Sequence, residues 1–118
     1  MKVTLLIVPP GGGELDYMLD FDLPAIPRVG DYLSIQRAGG SPGFEYFIVR
    51  RTWWSLEHPP VDDEQAVSGT PPEIGSVKRI GVECEVAEGA APTDDHRRSC
   101  EIYKAKGLPL REFEDSVY

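Results

Sequence analysis

The sequence predicts an all-β or β-dominated fold: a small barrel or strongly bent antiparallel sheet with one short C-terminal helix. Three observations carry this. Five segments have strand-like patterning and are separated by turn-forming residues. The 12 glycines and 11 prolines make up about a fifth of the 118 residues, against about 12% in average usage, which favours many turns over long helices. One late stretch carries helix-end signals. A chain of this length fits one domain and can bury a core without disulfides or metals.

The elements follow in order. Lys2–Val8 is an apolar run rich in β-branched residues, stopped by Pro9-Pro10 and Gly11–Gly13, and reads as a buried strand. Tyr17–Leu23 alternates strictly, with Tyr17, Leu19, Phe21 and Leu23 on one face and Met18, Asp20 and Asp22 on the other. Pro24 and Pro27 have no N–H for a ladder, so pairing ends there. Arg28–Asp31 is a turn in which Gly30 can take a positive φ. Tyr32–Gln36 is the third strand, Ala38–Gly43 a flexible reversal, and Phe44–Trp54 the longest strand, apolar or aromatic on both faces. Ser55–Ser76, with two proline pairs and Asp62-Asp63-Glu64, reads as a long mobile loop. Val77–Val86 alternates again, with Ile80, Val82, Cys84 and Val86 inward and a solvated polar face. Thr93 is positioned to cap a helix whose first turn holds Asp94 and Asp95. Lys104 and Lys106 fall in its last turn, Gly107 stops it and Pro109 lies beyond. A strand over Ser99–Ala105 is the competing reading, because the apolar stripe of Cys100, Tyr103 and Ile102 is thin. Leu110–Tyr118 reads as a loosely packed tail.

Charge narrows the function classes. The net charge is −8, with seven acids and five bases before residue 60 and thirteen and seven after it. Such a balance repels phosphate backbones and disfavours nucleic-acid binding. No window approaches the ~18 apolar residues of a membrane span. The apolar run at Val3–Val8 is too short for a signal segment, so a cytoplasmic setting is expected, with Cys84 and Cys100 as reduced thiols. No Cys/His spacing suggests zinc, and no glycine cluster matches a nucleotide-binding pattern. The expectation is no cofactor and no metal.

The segment Pro27-Arg28-Val29-Gly30-Asp31-Tyr32-Leu33, followed by Phe47-Ile48-Val49-Arg50-Arg51, resembles a theme of small SH3-like β-barrel proteins of uncharacterised bacterial type. There a Pro-x-x-Gly-Asp/Glu turn introduces one strand and the next carries an aliphatic motif. The resemblance covers a minority of the chain, implies a fold, and carries over no catalytic residue. The long segment after Trp54 departs from the compact pattern.

Trp53 and Trp54 pose the main functional question. Adjacent strand residues point to opposite faces, so one core cannot take both indoles. Simple alternation groups Trp54 with Phe44, Tyr46 and Ile48, and Trp53 with Phe47, Val49 and Arg51. Either the loop or the helix covers the second indole, or it lies at the surface as a binding platform. Arg50 and Arg51 are the densest basic spot, suited to a carboxylate or to pairing with local acids, and Arg51 can stack on Trp53. His58 and His96 both adjoin acids, yet no HxH or HExxH spacing is present, and both segments read as solvated surface. The leading expectation is a non-enzymatic binding module for a protein or peptide, using Trp53, Trp54, Arg51, Tyr46 and His58. An acidic antagonist of a basic partner and a small enzyme using His58 with adjacent acids are the alternatives.

Overall fold

A computed structural model of the chain describes residues 1–61 and 73–113. The elements are β1 (Lys2–Val8), β2 (Tyr17–Asp22), β3 (Tyr32–Ile35), β4 (Glu45–Glu57), β5 (Ser76–Glu88), α1 (Asp94–Ala105) and β6 (Arg111–Glu112). The sheet order is β2-β1-β5-β4-β3, with β6 pairing to the end of β5. The fold is therefore β-dominated with one short C-terminal helix among the described residues. Two ladders depart from the antiparallel expectation: the short β5–β6 pair is parallel, and so are β1 and β5, Thr4 opposite Gly81 through Val8 opposite Glu85. Nothing in local patterning reveals that, because the two strands lie far apart in sequence.

The sheet curls into an open half-barrel. β2 and β4 have two strands between them, yet Tyr17 Oη donates to Glu45 Oε1 at 3.0 Å across the concave face. Arg37 binds the same carboxylate, and burial beside Glu45 pushes the Tyr17 phenol well above its ordinary range. The concave core holds Val3, Leu5, Ile7, Phe47, Val49, Val82, Cys84 and Val86, closed from one end by Cys100 of α1. Burying one such large apolar side chain stabilises the fold by roughly 1.5–3 kcal/mol. β1 is buried as expected, and the inward phase expected for β2 and β5 is the phase observed.

Two boundaries shift. β4 continues through Ser55–Glu57, because Ser76–Arg79 of β5 stands opposite and supplies its ladder. The loop predicted at 55–76 is thus shorter, and its residues 62–72 lie outside those described. At the other end of the chain, Arg111–Glu112 forms β6, and Phe113 lies 4.8 Å from Tyr46, ring to ring, so this part of the predicted tail is ordered by packing; residues 114–118 lie outside the description.

The convex face is also covered where a solvated one was expected. Tyr46, Ile48 and Ala87 form a second small core with Phe44 and Phe113. Glu85 is buried there: Gly11 N–H donates to it at 2.6 Å and Arg111 pairs with it at 3.2 Å. The glycine-rich β1–β2 loop and the C-terminal segment therefore close over this carboxylate. The Pro27–Asp31 turn takes the predicted form. Gly30 has φ +92°, Asp31 accepts from Arg28 N–H at 2.7 Å, and the turn is tied to Val49 by two backbone hydrogen bonds.

α1 settles the choice between helix and strand. Thr93 caps it by accepting from His96 N–H, Asp94 and Asp95 occupy the first turn, and Gly107 follows the last turn at φ +75°.

Candidate interaction surface

The site begins with a bulge. Val49 stands opposite Cys84 and Arg51 opposite Glu83, which leaves Arg50 as an extra residue in β4. Alternation shifts phase at that point. Residues opposed in an antiparallel ladder share a face. Before the bulge Phe47 and Val49 face the concave side with Val86 and Cys84. After it the concave residues are Thr52 and Trp54, opposite Val82 and Ile80. The grouping by simple alternation is thereby corrected: Trp54 belongs with Phe47 and Val49, Trp53 with Tyr46 and Ile48. Two consecutive arginines now share one convex carboxylate. Arg50 Nε lies 3.6 Å and Arg51 Nη2 3.3 Å from Glu83. Arg50 Nη1 is buried against Gly12 with no hydrogen-bond partner among the described residues. The Gly11–Gly13 cluster, which matches no nucleotide-binding pattern in the sequence, thus lies against a basic side chain.

The bulge gives the two indoles different surroundings. Trp53 is half-buried: its ring lies over Gly81, whose absent Cβ would come 2.7 Å from the indole, and Arg51 stacks above it at 5.2 Å. The expectation that the long loop covers one indole falls largely on residues 62–72, outside those described. Trp54 is 51% exposed. Beyond it a second irregularity brings Leu56 opposite Val77, on the same concave-side face, and these are 70% and 47% exposed. The β4–β5 ribbon thus extends the line of the core past the end of β3 as an uncovered apolar row: Trp54, Leu56, Val77. Where the ribbon leaves β1 and β2, a groove of about 860 Å³ opens between Lys2, Asp20, Leu56, Val77 and Arg79.

The remaining predicted residues separate from this surface. Tyr46 is 3% exposed and structural: its hydroxyl accepts from Ala91 N–H at 3.0 Å, and its ring fills the space above Gly89. Its selection as a binding residue is corrected, since the C-terminal segment seals it. Arg51 is exposed but engaged by Glu83 and Trp53. His58 is exposed at the end of the ribbon, with Nδ1 2.7 Å from Pro59 O. The acids that follow it, Asp62-Asp63-Glu64, lie outside the described residues. His96 is not solvated. It is 5% exposed, with Nε2 at 3.2 Å from Tyr46 N and 2.8 Å from Ala87 O, tying α1 to the ends of β4 and β5.

Leu56 and Val77 are the surface residues that sequence reasoning missed. The alternation Thr52, Trp54, Leu56 was the available signal, obscured by assigning Ser55 onward to a loop. Among the described residues no group of three or more His, Cys, Asp or Glu side chains is placed to hold a metal ion. No helix there is long and apolar enough to cross a membrane. Compared with family models, curated protein sequences and solved structures, the chain matches none of them.

Proposed function

We propose that the protein is a non-enzymatic interaction module that docks a protein or peptide partner on its β4–β5 ribbon. The observation that carries this reading is the half-exposed Trp54 indole, in one row with the exposed Leu56 and Val77. Clustered apolar side chains around an open aromatic are the usual makeup of a binding hot spot. Antagonism of a basic partner has less support. Eight of the fifteen described acids are already in ion pairs within the chain, among them Asp22 with the N-terminus, Glu45 with Arg37, Glu88 with Lys104 and Asp94 with Arg97.

Acrylamide quenching of tryptophan fluorescence tests the reading. One indole, Trp54, is expected to quench readily and the other weakly, and Trp54→Phe is expected to remove the readily quenched component. Two equally shielded indoles in the wild type, at a concentration where it sediments as a monomer, would sink the proposal. With a captured partner, Trp54→Ala is expected to weaken binding by about 30-fold or more, the scale of a hot-spot truncation.

A further inference from the structure

The ribbon has an open backbone edge as well as an apolar face. β3 pairs with β4 only at Glu45–Ile48, and the turn contacts end at Val49. From Arg51 to Glu57 no described residue pairs with the outward edge of β4. Alternate N–H and C=O groups along these seven residues therefore lack a strand partner among the described residues. Soluble proteins usually blunt such an edge with lysine, proline or a covering segment. Here the sequence is Arg-Thr-Trp-Trp-Ser-Leu-Glu, with neither lysine nor proline. Its two charges cancel, although the chain as a whole carries −8.

We propose that the edge pairs with a second copy of the chain, the two β4 strands running antiparallel about a twofold axis at Trp54. This rests on the ribbon reading above and names its partner. The choice of register follows from side-chain chemistry. Opposed residues must share a face, so the axis passes through a residue rather than between two. Centred on Trp54, the pairing sets Arg51 opposite the partner's Glu57 at both ends, Thr52 opposite the partner's Leu56, Trp53 opposite the partner's Ser55, and the two Trp54 side chains together. Centred on Trp53, Arg51 meets serine and Glu57 meets Val49; centred on Ser55, Arg51 meets Pro59. Only the Trp54 register matches both charges and joins the exposed apolar residues. Glu57 is free for it, since no cation lies within ion-pair distance among the described residues. Arg51 is 68% exposed in its side chain despite its contact with Glu83.

Sedimentation of the full chain over a concentration series is the test. A reversible dimer is expected, weakened about tenfold or more in Glu57→Arg, which sets like charges opposite Arg51 at both ends. Under mild oxidation Trp54→Cys is expected to give a disulfide-linked dimer, because only a residue on the axis meets itself, and Ser55→Cys far less of one. Circular dichroism of each variant checks that it is folded. A monomer at every concentration up to millimolar overturns the inference, as does a dimer indifferent to Glu57→Arg and not cross-linked through position 54. A monomer with a quenchable Trp54 overturns self-pairing while the ribbon reading stands. A monomer with a shielded Trp54 removes both.

Discussion

Gly81 lies opposite Trp53 in the β4–β5 ladder, and the indole occupies the space a side chain would need. Gly81→Ala is therefore expected to displace the ring and destabilise the fold by about 1–3 kcal/mol, the range of overpacking in a well-filled site. Urea unfolding measures the loss, and a red shift of the shielded emission component reports the displaced indole; an unchanged midpoint would contradict the packing described. At this scale some residues were legible and others were not. The inward set Ile80, Val82, Cys84 and Val86 follows from local alternation alone. Tyr46 and His96 were misread because what buries them arrives from elsewhere. Phe113 covers Tyr46, and the ends of two strands hold the His96 imidazole. A polar side chain on a short helix with charged neighbours carries no local mark of such contacts.

Elements whose ends are set by local chemistry were read well, and those set by pairing less so. The bounds of α1 are those expected of Thr93 and Gly107, because a cap is a contact within a few residues. Thr93→Ala removes the acceptor of His96 N–H and is expected to cost about 1 kcal/mol, seen as a lower urea midpoint with helical signal otherwise retained. A loss below a few tenths would show that the hydroxyl does not cap. β4 behaves differently. Pro59-Pro60 marks where it must stop, but its passage through Ser55–Glu57 depends on Ser76–Arg79 standing opposite. The bulge is likewise specified across the strands, by the two arginines converging on Glu83. Nothing in the run Val49-Arg50-Arg51-Thr52 distinguishes an extra residue from a regular one.

For the molecule as a whole, the bent sheet follows from strand count and turn chemistry, whereas the parallel β1–β5 contact does not. It joins the first strand to one that begins beyond residue 75, and only the collective burial of the concave core selects it. That core makes a prediction about pH. Burial pushes the Cys84 thiol up to about 12, with Glu83 adding to it, and the Cys100 thiol to about 11, from an ordinary 9.0. Burial raises the Tyr17 and Tyr103 phenols in the same direction. The neutral forms are favoured in the folded state, so their contribution is fully present below about pH 9 and is lost as pH rises through 11 to 12. Stability measured by urea is expected to fall over that window, less steeply in Cys84→Ala. Both thiols are expected to resist alkylation at pH 8 until the chain unfolds. A thiol that reacts rapidly in the native protein would contradict the burial.

The bulge at Arg50 also sets how the chain tolerates a change in length. Removing one residue from a strand ordinarily slips everything beyond it to the wrong face. Deleting Arg50 would instead bring Val49 and Arg51 into consecutive pairs with Cys84 and Glu83, and every pair after them would keep its partner. The two indoles would retain their surroundings at the loss of one ion pair and some local twist. Deleting Thr52, two positions on, would exchange them. Paired quenching measurements on the two deletions are expected to show one accessible and one shielded indole in the first and a disturbed pattern in the second. Along β4, the frame has one spare position, and it lies at Arg50.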